Sequence, residues 1–138
     1  MSWDKMIPKQ EIQEKVTPTA IEFAEKFGKY LAEKDESTKE EPLTPTQLRR
    51  FFGEVKRQQM TEYNETEFIM LKPKLAYAVG RAKQSGKRGF HQKIEDFYFV
   101  LADAIDKVIG SPNKPLARKN FISIFEAIVA YHKASEKK

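Results

Sequence analysis

The residue types that most often perform catalysis or hold metals are scarce in this chain. It has no cysteine and only two histidines, His91 and His132. Neither lies in an HExxH motif, and neither has the glutamate three residues earlier that di-iron bundles require, because Arg88 and Val129 stand there. No Gly-rich phosphate loop and no set of serine, histidine and aspartate typical of hydrolases is present. The sequence therefore predicts no catalytic centre, no metal site and no cofactor.

A second group of residues suits a different chemistry, the binding of phosphate groups. Residues 1–42 hold 7 basic and 10 acidic residues, residues 43–93 hold 11 and 4, and residues 94–138 hold 7 and 6. The corresponding net charges are −3, +7 and +1. Positive charge is thus concentrated in the middle of the chain, and a polyanion is the simplest partner for such a block.

The basic side chains of this block recur along predicted helices. Four of them lie largely outside the apolar stripe of one helix: Arg49, Arg50, Lys56 and Arg57. Glu54 is the only acidic residue among them, so we expect pairing within the helix to leave their charge in place. Further candidates of the same sign follow: Lys72, Lys74, Arg81, Lys87 and Arg88. A solvated helix surface without a ligand is the alternative interpretation.

Two neighbouring features also have a functional and a structural interpretation. Tyr77 stands beside Lys74 and Arg81, where it could stack on a base, although packing against the bundle is the commoner position for such a tyrosine and is what we expect. The sequence GKRG at residues 86–89 matches the GXXG loop of KH domains. A KH domain also needs a three-stranded sheet, for which no strand pattern exists, so we expect a flexible basic loop instead.

The elements that must position these residues are predicted to be helices. Apolar residues recur at spacings of three and four along the chain, and no segment alternates as a half-buried strand does. Thr17 and Pro18 are typical of an N-cap and a first helical residue. Thr44 and Pro45 repeat this pattern, and Gln47 completes a capping box. Two helices are therefore expected to begin at residues 18 and 45.

The second half of the chain contains the other three predicted helices. Asn64 caps a helical stretch that Pro73 interrupts, after which four residues are expected to face the core: Leu75, Ala78, Val79 and Ala82. A strongly apolar helix covers about 91–109, and a last helix begins between residues 111 and 115. The predicted fold class is all-α, a compact bundle of about five helices.

The distribution of charge divides the chain into two predicted parts. Residues 1–42 form an acidic N-terminal segment with one helix and, at 35–42, a charged mobile linker. Residues 43–138 form a basic helical domain. Because no long apolar run and no apolar leader is present, we expect no membrane span and a cytoplasmic location, which the absence of cysteine also favours.

Three segments, taken together, resemble a known family. They are TPTQLRRFFGEVKR at 44–57, LKPKLAYAVGR at 71–81 and NFISIFEAIVAYHK at 120–133. Their sequence, order and spacing resemble the small subunit of type III-A CRISPR effector complexes, the Csm complex. The resemblance covers roughly residues 43–134, and its specificity comes from the combination of the three segments.

The resemblance implies a non-catalytic helical subunit that stacks in several copies along the guide-RNA filament. It implies other subunits of the complex as partners, and contacts of basic residues with guide RNA and target RNA that do not read sequence. In this family the cleavage of RNA and DNA belongs to other subunits. The family's basic positions match seven residues of this chain: Arg49, Arg50, Lys56, Arg57, Lys72, Lys74 and Arg81. Glu126, in the third segment, is expected to pair with an arginine of another helix, Arg81 being one candidate.

Three functions stay open on the sequence. The favoured one is an RNA-binding subunit of a CRISPR ribonucleoprotein. A protein–protein adaptor whose basic face meets an acidic partner is the alternative. A free-standing DNA-binding protein is third, since the connection at residues 58–64 is long for a helix-turn-helix and lacks glycine. We also predict self-association, because the helix at 91–109 is apolar nearly all round.

Overall fold

The computed structural model describes residue 3, residues 7–85 and residues 91–136. These residues form seven helices: α1 (Lys9–Gln13), α2 (Pro18–Ala32), α3 (Pro45–Gln59), α4 (Glu65–Ile69), α5 (Leu71–Ser85), α6 (Gln92–Ile109) and α7 (Lys114–Ala134). The described part of the chain contains no strand. The predicted all-α bundle is confirmed: five helices have fifteen residues or more, and α1 and α4 have five residues each.

Helix α7 lies at the centre of the bundle. It packs against α1, α2, α3 and α6, and its apolar side chains Phe121, Phe125 and Ile128 are almost fully buried. Helix α6 covers another side of the core and packs on α5 as well. The sequence predicts that α6 is central or faces a partner, and most of its apolar residues are indeed buried, although the Phe99 side chain remains 52% exposed.

The two N-terminal helix starts were predicted at the right residues, but they are capped differently. At α3, the Thr44 hydroxyl accepts a hydrogen bond from the Gln47 backbone N–H, and the Gln47 side chain accepts one from the Thr44 N–H. At α2, the buried Glu11 carboxylate accepts hydrogen bonds from the Thr17 hydroxyl and from the N–H groups of Thr17 and Ala20. Burial would raise the pKa of Glu11, but these hydrogen bonds hold it below its ordinary value. Helix α1, which the sequence does not predict, places this cap.

The break predicted near Lys72 from Pro73 is present two residues earlier, at Met70 between two helices, and Pro73 itself lies in the first turn of the second one. Helix α4 begins behind Asn64, whose side chain accepts a hydrogen bond from the Glu67 N–H, and it ends at Ile69, two residues before α5 begins. In α5, Leu75 and Val79 are buried as expected, but Ala78 is exposed. The prediction for Ala78 is wrong because α5 contributes a narrow stripe to the core rather than the broad face that four inward residues would need.

The segment between α2 and α3 makes specific contacts with the rest of the bundle. Within the segment, the Asp35 carboxylate accepts hydrogen bonds from the N–H groups of Ser37 and Thr38. The contact with the bundle is made by the buried Glu40 carboxylate, which accepts a hydrogen bond from the Lys93 N–H at 2.7 Å. Side chains on both sides of this segment contribute to one hydrophobic core. The division of the chain at residue 42 into an acidic segment and a basic domain stays a prediction.

Candidate nucleic-acid interface

Helices α3 and α5 pack against each other and carry seven of the nine basic residues that the sequence predicts to bind RNA. Their apolar stripes, with Leu48 and Val55 on α3 and Leu75 and Val79 on α5, point into the core. The basic side chains consequently point outward; six are exposed and Lys72 is partly exposed: Arg49, Arg50, Lys56, Arg57, Lys72, Lys74 and Arg81. The other two, Lys87 and Arg88, lie outside the described residues, as does the GKRG segment that contains them.

Two of the lysines form ion pairs with helices other than α3 and α5. Lys72 Nζ lies 2.8 Å from Asp106 Oδ1 on α6, and Lys56 Nζ lies 3.7 Å from Glu126 Oε2 on α7. The arginine partner predicted for Glu126 is therefore wrong. The Glu126 side chain is 59% exposed, so it has little burial cost to offset, and a nearby lysine on α3 takes the position instead.

Glu54 holds two further basic side chains of this face. Its carboxylate accepts hydrogen bonds from Arg57, from Nε at 3.2 Å and from Nη2 at 2.8 Å, and one from Lys74 Nζ at 2.7 Å. These charge-assisted hydrogen bonds lower the pKa of Glu54 to about 2. The hydrogen bond from Arg57 has the larger effect and that from Lys74 the next largest. We expected pairing within the helix to leave the positive charge of this face in place, and this is wrong for Arg57, which pairs with Glu54 on the same helix. Lys74 on α5 is the second partner of Glu54.

The ion pairs of Glu54 lead to a prediction about stability and pH. The pKa of Glu54 in the folded protein, about 2, lies below the value of about 4.3 for an unfolded chain. These pairs therefore stabilise the fold above roughly pH 4.3, and their contribution is lost as the pH falls toward 2. Between about pH 5 and pH 3 we expect wild-type protein to lose more free energy of unfolding than Glu54→Gln. Urea denaturation at both pH values measures this difference.

The control is Glu22→Gln, the same change at an exposed position of α2, which should behave as wild-type protein does. Equal losses for wild-type protein and Glu54→Gln would show that the pairs of Glu54 do not stabilise the fold.

Three arginines differ from the other basic residues of the face. Within the described residues, no carboxylate lies at ion-pair distance from Arg49, Arg50 or Arg81. The guanidinium carbon of Arg81 lies 5.9 Å from the ring centroid of Tyr77, one turn earlier on α5, which is a cation–π distance. These three side chains supply positive charge that no acid of the described chain neutralises.

Tyr77 is exposed on the surface of α5, so the prediction that its side chain packs against the bundle is wrong. Its side chain is 67% exposed. The reason is its position on the helix: Leu75 and Val79 point into the core, and a residue two positions from each of them points to the opposite side at about 100° per residue. An exposed tyrosine thus stands between the basic residues of α5.

Arg50, Tyr77 and Arg81 line one groove. It has a volume of about 320 Å³ and is bordered by residues of α3, α5 and α6. Gln47, which is not among the predicted RNA-binding residues, also lines it. Its capping role is visible in the sequence, but its position beside α5 depends on how the two helices pack. In this groove, unpaired arginines of both basic helices meet an apolar surface.

The described residues offer little for metal chemistry. In residue 3, residues 7–85 and residues 91–136, no three histidine, aspartate or glutamate side chains are arranged to hold a metal ion. His91 is the N-cap residue of α6, and the buried His132 ring has its Nε2 2.7 Å from the Leu43 carbonyl oxygen. Among the helices of the described chain, none has the length and apolarity needed to cross a membrane.

The fold and this face define a small all-α protein with a basic surface on two adjacent helices. A family model described as Csm2 Type III-A matches residues 14–138. The chain therefore belongs to the Csm2 type III-A family, the small subunit of the type III-A Csm complex. The match also includes α2 and the segment before α3. The resemblance seen in the three sequence segments covers only residues 43–134 and does not reach them. No curated protein matches the chain, and no solved structure does.

Proposed function

We propose that this chain binds guide RNA and target RNA in the type III-A complex through phosphate contacts that do not depend on sequence. Membership of the family places it among the subunits of a type III-A effector complex. The observation that carries the RNA part is the presence, on two adjacent helices, of three exposed arginines without an ion-pair partner in the described chain. Arginines on rigid helices suit phosphate oxygens, and phosphate contacts position a strand without specifying its sequence.

The ion pairs divide the candidate residues by their expected contribution. We expect the largest from the unpaired Arg49, Arg50 and Arg81. Lys56 and Lys72 come next, because an exposed ion pair contributes only about 0–1 kcal/mol and a phosphate can replace its carboxylate.

Arg57 and Lys74 are expected to contribute least while Glu54 binds both. Lys87 and Arg88 are proposed to bind RNA from their charge and their place in the sequence.

Replacing the three unpaired arginines tests this proposal. We expect Arg49→Ala, Arg50→Ala and Arg81→Ala, combined, to weaken binding of every single-stranded RNA alike. Each lost phosphate contact lowers the slope of log affinity against log salt by about 0.7, so the triple variant should lose about 2. The melting temperature should change little, because exposed charges usually contribute less than about 0.5 kcal/mol each. RNA affinity is measured at several salt concentrations.

The matched control replaces three exposed lysines outside α3 and α5: Lys15, Lys26 and Lys29. It removes the same charge and should leave the slope nearly unchanged. If the two triple variants change the affinity and the slope equally, RNA binding depends only on the net charge of the chain and not on this face. An unchanged slope in the arginine variant, both for the free chain and in the assembled complex, would contradict the proposed face and favour the adaptor function.

The opposite change is expected when Glu54 is replaced. Glu54→Gln removes the carboxylate that binds Arg57 and Lys74, so both become available to phosphate. We expect tighter RNA binding and a slope steeper by up to about 1.4, the equivalent of two contacts. Glu22→Gln on α2 removes the same charge away from the face. If both variants tighten binding equally, the pairs of Glu54 do not restrain these two basic residues.

The remaining parts of the proposal concern the complex. The family is one of non-catalytic small subunits, and we propose that this chain itself cleaves neither RNA nor DNA. We also propose that it works in the cytoplasm and stacks in several copies along the guide-RNA filament. Self-association of the chain is part of the same proposal.

A further inference from the structure

The groove between α3, α5 and α6 combines an apolar floor with a cationic rim. Its floor includes the buried side chains of Phe51, Leu75, Val79 and Phe97. Its volume, about 320 Å³, is at the lower end of the roughly 300–1,000 Å³ that is typical of small-molecule sites. A single planar ring system fits such a space, whereas a nucleic-acid duplex does not.

The rim of the groove carries the side chains that distinguish it from an ordinary surface depression. Arg50 on α3 and Arg81 on α5 both line it, and no carboxylate of the described chain pairs with either. Tyr77 also lines it, with its ring 67% exposed and 5.9 Å from the Arg81 guanidinium. Two unpaired cations and an aromatic ring that line one groove complement a molecule that has both negative charge and a flat apolar face.

We propose that this groove holds one unstacked base of a bound RNA strand. The base lies against Tyr77 over the apolar floor, and Arg50 and Arg81 bind the phosphates on either side of it. Single-stranded RNA is bound in this way elsewhere, with splayed bases stacked on aromatic rings or guanidinium planes and the backbone held by cations. The inference rests on the proposed RNA-binding function and adds to it a position for one nucleotide.

The groove is suited to any of the four bases. Stacking uses the face of a base, and every base has such a face. Reading the edge of a base requires a polar group directed at it. The amide oxygen of Gln47, which lines the groove, already accepts a hydrogen bond from the Thr44 N–H at 2.8 Å and is therefore not a free acceptor for a base edge. A base held by its face and by flanking phosphates is compatible with a subunit that accepts every guide and target sequence.

The test uses an oligouridylate that carries a single 2-aminopurine, with the full chain alone and in the assembled Csm complex. We expect binding to quench the fluorescence of the 2-aminopurine through stacking. Tyr77→Ala should abolish the quenching and weaken binding roughly fivefold or more, while Tyr77→Phe, which keeps the ring, should retain both. The salt slope of Tyr77→Ala should equal that of wild-type protein, because no phosphate contact is lost.

Met60→Ala is the control for removing a large exposed side chain, since Met60, at the end of α3, is 87% exposed and does not line the groove. It should leave quenching unchanged. If RNA binds and the three arginine replacements weaken it, but Tyr77→Ala behaves as wild-type protein, the base site is refuted and the phosphate face stands. Quenching by the free chain that is absent in the complex would assign the groove to a neighbouring subunit. If RNA binds to neither form, the proposed function and the base site fail together.

Discussion

Replacing Phe125 by alanine is expected to destabilise the protein strongly, by about 3–5 kcal/mol. Phe125 is 1% exposed. Its ring centroid lies 5.8 Å from that of Phe51, 5.0 Å from Phe52, 6.0 Å from Phe97 and 6.1 Å from Phe121. Phe125, on α7, therefore contacts rings of α3, α6 and α7. Its replacement leaves a cavity that small shifts of these rings cannot fill.

The measurement is urea denaturation followed by far-UV circular dichroism. Phe99→Ala, a change of the same size at a half-exposed position, should cost far less. A loss below about 1 kcal/mol for Phe125→Ala would mean that the aromatic cluster is not the centre of the core.

The second large effect is expected at Gly28, where α2 approaches α7 closely. A Cβ atom at this position would lie 2.7 Å from the Ile128 carbonyl oxygen and 2.9 Å from the His132 backbone nitrogen. These are backbone atoms of a central helix, so Gly28→Ala forces the two helices apart. We expect a loss of about 3 kcal/mol in the free energy of unfolding.

A glycine in the middle of α3 provides a control of opposite sign. Apart from its chain neighbours and the backbone of its own helix, no atom lies within 4 Å of the position of a Cβ at Gly53, and alanine is favoured over glycine inside a helix by about 0.5–1 kcal/mol. Gly53→Ala should therefore stabilise the protein. Similar effects of the two replacements on thermal and urea unfolding would contradict the close packing of α2 on α7.

The helices could be predicted largely because their signals are local. The capping box of Thr44 and Gln47, the proline that follows each of the first two N-caps, and Asn64 with Glu67 all act within one turn of the chain. Each indicates a helix boundary that the structure confirms to within one or two residues. Helix α1 was not predicted because it has only five residues and no capping side chain of its own. Its contacts are made with another element, since Glu11 binds the start of α2.

The state of the basic face could not be predicted in the same way. The pairing of Glu54 with Arg57 follows from a spacing of three residues and was visible in the sequence, but its bond with Lys74 joins residues twenty positions apart. The ion pairs of Lys56 and Lys72 likewise depend on helices that meet only in the folded protein. Sequence identifies which residues are basic; the packing of α3, α5, α6 and α7 decides which of them remain unpaired.

The exposure of Tyr77 could not be predicted from the sequence either. The composition of α5 does not distinguish an inward from an outward tyrosine, because both Leu75 and Ala78 are plausible core residues. Once the structure places Leu75 and Val79 in the core, the position of Tyr77 follows from helix geometry. The groove beside it then appears only because α3 and α6 border the same space.

The central claim, that α3 and α5 face RNA in the complex, is tested most directly by ultraviolet cross-linking. The Csm complex containing this chain is purified with its RNA and irradiated, and peptides carrying nucleotides are identified by mass spectrometry. We predict adducts on peptides from residues 45–57 and 71–81, with Tyr77 among the modified positions. Adducts confined to α2 or α7, or none on this chain while other subunits cross-link, would contradict an RNA-facing surface on α3 and α5.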